Sequence, residues 1–271
     1  MKVLLTLCAV LSLNASWAQS NAINLDGTDD VVNTGARITN LNQDFTLEAW
    51  IKTTRVKCAI MVCSNGDITW DIGEKAWYID NTTGKVNFVG RNSGLIYGNR
   101  AVNDGLWHHV AVTWDLTGTN VGTGKMYVDG VDVTTTGAVP YNASQTDLGV
   151  FRFGPPNYQT NETGTNFYQG SLDEIRIWNV ARTAAQISAN YATEIDPTST
   201  GLVSYYRFNQ GTASGTNTSL TTVPDLTGSN TATLTNFALS GTTSNYVEQP
   251  TSFLLWSGNP SLRKNKALRY C

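Results

Sequence analysis

Two places in this chain hold acidic side chains close enough to act together. Asp26-Gly-Thr-Asp-Asp30 packs three carboxylates into one short turn, and Asp173-Glu174 sets two side by side at the head of an alternating apolar segment. Like charges so close repel unless a cation sits among them, and a hard oxygen site of flexible geometry suits calcium over zinc or magnesium. The same residues also suit a purely structural role: a turn whose carboxylates accept backbone hydrogen bonds, with Glu174 paired to Arg176 or Arg207. His108 and His109 are the only two histidines and thus the obvious candidates for a base. No Gly-x-Ser-x-Gly elbow accompanies them, so a nucleophilic triad has no support in the sequence.

The elements that must carry these groups are mostly strands. In the segment running from Gly170 to Ile187, Leu172, Glu174, Arg176 and Trp178 alternate with Asp173, Ile175 and Ile177. That pattern reads as a strand with its two acids on opposite faces. Thr183 and Gln186 have capping-box spacing, and Ile187 and Tyr191 lie four apart, predicting one short helix near residues 183–193. Val110, Val112 and Trp114 share one face of another strand, and Asp129-Gly130 between two alternating runs is a strong hairpin signal. Further short strands recur from Ile23 to Leu239, separated by Gly-, Asn-, Ser- and Thr-rich stretches at 90–103, 138–148, 155–168 and 210–230 that read as loops.

Residues 1–18 carry Lys2, an apolar run from Val3 to Leu13 and the small residues of Ser16-Trp-Ala18, the pattern of an export signal. The rest of the chain is long enough for one large all-β domain over residues 19–247. Residues 248–271 change to an apolar run followed by Arg263, Lys264, Lys266 and Arg269, and are expected to be a disordered tail or the stub of a longer chain. Charged residues make up 14% and the formal net charge is −3, which leaves no footprint for nucleic acid. No other stretch is apolar enough to cross a bilayer as a helix. If Cys58 and Cys63 share one strand, their α-carbons stand about 16 Å apart, so a bridge between them requires a bend.

Six segments in order carry a resemblance: Leu25–Val32, Phe45–Ile51, Trp107–Asp115, Met126–Gly130, Gly170–Trp178 and Leu202–Phe208. Together they resemble the laminin-G-like, or concanavalin A-like, jelly-roll domains, in the branch shared with pentraxins. The resemblance implies an antiparallel two-sheet sandwich whose first and last strands pair. It also implies that the Asp26 turn lies near the late strand, where Asp26, Asp30 and Asp173 match the places at which similar domains hold a structural calcium; Asp29 and Glu174 are further candidate ligands beside them.

Hydrolases of that sandwich carry Glu-x-Asp-x-x-Glu, which this chain lacks; Glu48 stands alone in its strand. A glycoside hydrolase or polysaccharide lyase is therefore the lesser alternative. The leading expectation is an exported, non-catalytic module that binds carbohydrate through rim loops bearing Trp77, Asn92, Tyr97, Arg100, Tyr158, Asn161 and Phe167. Their aromatic faces suit a sugar ring and their amides its hydroxyls. The competing expectation is an adhesion or spacer domain whose partner is an extracellular protein. Nothing in the sequence specifies an oligomeric state.

Overall fold

The computed structural model describes residues 21–66, 70–135, 141–143, 149–156 and 166–249. Two antiparallel sheets face each other. The eight-stranded sheet runs β10 (Val131–Asp132), β9 (Val121–Val128), β8 (Trp107–Gly118), β3 (Phe45–Lys52), β13 (Gln169–Trp178), β1 (Asn21–Asp26) and β17 (Asn245–Glu248), with β14 (Leu202–Tyr206) also on β13. The nine-stranded sheet runs β11 (Thr134–Thr135), β7 (Gly94–Ala101), β6 (Lys85–Gly90), β5 (Lys75–Ile79), β4 (Cys58–Ser64), β12 (Val150–Phe153), β2 (Val31–Asn33), β16 (Ala232–Thr235) and β15 (Thr222–Val223). The first and last strands pair, Asn21 opposite Glu248.

One core fills the space between the sheets. Leu47, Ala49 and Ile51 of β3 meet Trp77 and Ile79 of β5 and Phe88 of β6 there, each almost wholly buried. Burying each large side chain contributes roughly 1.5–3 kcal/mol. Cys58 and Cys63 both lie in β4 as buried thiols that are not bridged to each other. Asp129 and Gly130 both have positive φ, 52° and 77°, as a tight primed hairpin turn requires.

The stretch 90–103, expected to be a loop, contains β7. A short turn with Asn92 at φ 59° folds it back onto β6, and its side chains alternate with Ile96 in the core. Helix α1 (Ala184–Asn190) has the expected capping box: Thr183 Oγ1 accepts from the Gln186 amide, and the Gln186 side chain accepts from the Thr183 amide. Ile187 is buried against Ala111 and Tyr127, which fastens the helix to the outer face of the eight-stranded sheet.

Candidate functional site

Because Leu47, Ala49 and Ile51 point into the core, Glu48, Trp50 and Lys52 point outward. Strand register extends that outer face sideways. Trp107 stands opposite Lys52, Lys52 opposite Ser171, and Ser171 opposite Asn24. At a spacing of about 4.8 Å per strand the row spans about 14 Å. All four residues line a groove of about 380 Å³, with Thr53, Gly105, Gln169 and Glu248 in its walls.

Trp107 and Asn24 are half-buried and Lys52 is exposed. Asn24 Nδ2 donates to Ser171 Oγ at 3.1 Å, which leaves the amide oxygen and the hydroxyl proton for a ligand. Thr53 Oγ1 donates to the Gln169 carbonyl at 2.6 Å, and the Gly105 amide donates to the Thr53 carbonyl at 2.9 Å. Both bonds fix the walls to the strands that form the floor.

Two residues further along, the same face carries His109, Trp50 and Asp173, all buried, with His109 and Trp50 packed against Tyr191 at the C-terminal end of α1. Trp50 Nε1 donates to the Tyr191 carbonyl at 3.0 Å. Beside them is a largely buried charge network. Glu48 lies 2.6 Å from Arg182, 3.2 Å from His109 and 3.8 Å from Arg176, while Glu174 lies 2.6 Å from Arg176 and 3.0 Å from Arg207. Burial alone would raise the Glu48 pKa, but His109, Arg176 and Arg182 outweigh it and hold the group at about 2. Asp173 has no such surplus of cations, so burial and the neighbouring Glu174 push its pKa well above the usual carboxylate range.

Sequence alternation set Asp173 and Glu174 on opposite faces, and the structure corrects this. Asp173 is opposite Trp50 and Arg176 opposite Glu48, so β13 holds one extra residue there. Glu174, at φ 50°, absorbs the resulting bulge. Leu172 therefore shares the core face with Ile175 and Ile177, and both acids turn outward under the helix segment.

The acidic turn lies elsewhere. Asp26 is opposite Gln169, four positions along β13 from Asp173. Consequently the five expected metal ligands do not converge. Asp26, Asp29 and Asp30 alone come together, each offering a carboxylate oxygen within 4.8 Å of the others. Asp30 accepts from the Asp26 amide at 2.9 Å and from the Ser244 hydroxyl at 2.8 Å, and Asp26 accepts from the Thr28 amide at 2.7 Å. Burial, reinforced by Asp26 and Asp29, raises the Asp30 pKa to about 6.

The residues expected on rim loops are dispersed. Trp77 is wholly buried in the core and presents no stacking face. Tyr97 is half-buried on β7, opposite Asn87. Asn92 is exposed, Phe167 is half-buried, and Arg100 is held 2.8 Å from Asp129. Tyr158 and Asn161 lie outside the described residues. The groove residues Asn24, Lys52, Trp107 and Ser171 escaped sequence reasoning as a set. Each shows only as a polar or aromatic residue at an outward strand position, and which strands stand side by side is a matter of topology.

A family model described as the concanavalin A-like lectin/glucanases superfamily matches residues 26–188. The chain belongs to that superfamily. The matched span includes three of the four strands that carry the groove row. A search of curated proteins returns no match. Among solved structures, a putative carbohydrate binding protein from Bacteroides ovatus is similar at 23% identity and TM-score 0.58, over 81% of this chain and 59% of that one. The heptameric SAP-like pentraxin from Limulus polyphemus is similar at 18% identity and TM-score 0.46, over 68% of this chain and 85% of its own. The CBM40 of Ruminococcus gnavus IT-sialidase, bound to α2,3-sialyllactose, is similar at 15% identity and TM-score 0.48, over 63% and 96% respectively. Among the described residues no helix is long and apolar enough to cross a membrane.

Proposed function

We propose that this chain is a non-catalytic carbohydrate-binding module that receives its ligand along the groove on the eight-stranded sheet. The observation that carries this reading is the row Trp107, Lys52, Ser171 and Asn24. An indole face at one end suits the apolar side of a sugar ring, and the ammonium, hydroxyl and amide that follow suit its hydroxyl groups. Rigid strands hold the row, so little ordering cost opposes binding.

The acid inventory supports binding without hydrolysis. Glu48, Asp173 and Glu174 are at most 2% exposed. None of the three lines the groove, where Glu248 is the one carboxylate, and glycoside hydrolysis needs two flanking the bond.

As part of the same reading, Asp26, Asp29 and Asp30 hold a structural calcium ion. A hard cation among them would relieve the repulsion that helps raise the Asp30 pKa. Residues 1–18, read as an export signal, would deliver the module to a setting where its glycan is extracellular.

The test is affinity electrophoresis through gels carrying a panel of neutral and acidic polysaccharides. Retardation in at least one gel is expected, reduced at least tenfold by Trp107→Ala and unchanged by Tyr97→Ala. Retention by no glycan, with binding to an extracellular protein instead, would replace this reading with the adhesion one.

A further inference from the structure

Trp107 opens β8 directly after a short loop that His108 links to the β9–β10 turn. His108 Nδ1 lies 3.0 Å from Asp129 Oδ2, and Nε2 lies 3.1 Å from Asp104 Oδ1. The two carboxylates come from different elements, Asp104 from the loop entering β8 and Asp129 from the β9–β10 turn. Asp129 is itself fixed by Arg100 at 2.8 Å and by the His109 amide at 3.0 Å. Between Asp104 and Trp107 lies Gly105, whose amide bonds Thr53 across the groove wall and whose φ of 78° belongs to the left-handed region.

We infer, on the footing of the groove reading above, that His108 is a positioning residue: clamped between Asp104 and Asp129, it holds the turn at residues 103–106 so that Gly105 and Trp107 keep the shape that receives ligand. Only the doubly protonated ring donates to both acids at once. A neutral ring keeps one donor, and the exposed Asp104 is the partner that is lost.

The charged groups facing His108 are Asp104 from its own loop, Asp129 from the hairpin turn and, through Asp129, Arg100 at the end of β7. His109 points to the opposite side, toward Glu48 and Tyr191. Burial lowers the His108 pKa, and the two carboxylates more than reverse that, so it stands above its ordinary value. The clamp is therefore closed below that raised pKa and opens as pH climbs through it.

Amide hydrogen exchange at Gly105, expressed as a protection factor between pH 6 and pH 9, reads the clamp without any glycan. Protection should drop about fivefold through one inflexion, the size expected of a partly exposed charge pair. His108→Gln should show low protection at every pH with no inflexion, whereas Asp104→Glu, which keeps both the ring and a carboxylate partner, should retain the inflexion. Protection that is flat with pH in the wild type, or an inflexion that persists in His108→Gln, would overturn the inference. Failure of the groove reading looks different: glycan retention would ignore Trp107→Ala while the exchange signal remained.

Discussion

Arg176 Nη2 and Glu174 Oε2 lie 2.6 Å apart with their side chains 0% and 2% exposed, on the strand that α1 covers. Arg176 also donates to the carbonyls of Asn190 and Thr193, which ties the end of the helix to β13. The pair is thus a fastener for the helix as well as a match of charges. Its excision should be costly in one direction only. Arg176→Met leaves Glu174 short of a cation in a sealed site, and a loss of about 3–5 kcal/mol is expected in urea unfolding. Adding Glu174→Gln to that variant should recover part of the loss. A single variant within 1 kcal/mol of the wild type would show that Arg207 suffices for Glu174.

The acidic turn predicts an unusual pH dependence when divalent cations are removed. Asp30 has a folded pKa of about 6 against an ordinary value of 3.8. Between those values the native state binds more protons than the unfolded state, so stability falls as pH rises from about 4 to about 6. Allowing for solvent screening, a fall of about 1–2 kcal/mol is expected in urea midpoints taken with a chelator present. Asp30→Asn should remove that slope, and excess calcium should restore stability at pH 7. A chelator that leaves the wild-type midpoint unchanged at pH 7 would count against the ion.

Helix α1 begins at a side-chain cap. Thr183→Ala removes the acceptor for the Gln186 amide and should cost about 1 kcal/mol. Because Tyr191, at the C-terminal end of α1, accepts from Trp50, the change should be visible as altered indole emission before global unfolding.

Cys58 and Cys63 should resist modification. Cys58 is wholly buried, and burial pushes its thiol up to about 12, leaving almost no thiolate near neutrality. Alkylation at pH 8 followed by mass spectrometry should find both cysteines intact in the native protein and modified in denaturant. Rapid native labelling at Cys58 would mean that β4 opens.

Local features were the legible part of the sequence. The hairpin at Asp129-Gly130, the capping box at Thr183 and Gln186, and the inward face of β8 each depend on residues a few positions apart. The bulge was not legible, since only pairing with β3 reveals that two acids of β13 occupy the space of one, and a Glu at φ 50° leaves no mark in the sequence. Register over long separations decided the sites. That Asp26 faces Gln169 rather than Asp173, and that Trp107 faces Lys52 across 55 positions of chain, follows from how strands are ordered rather than from any spacing. Trp77 shows the opposite failure: an aromatic judged by type alone belongs as readily to a core as to a surface.

The pairing of Asn21 with Glu248 has a mechanical consequence. Tension applied to the two flanking segments would pull β1 and β17 apart at right angles to their length, loading one hydrogen bond at a time rather than the whole ladder together. The domain should yield to modest force by peeling β17 away, while β1, still held along its other edge by β13, stays in place.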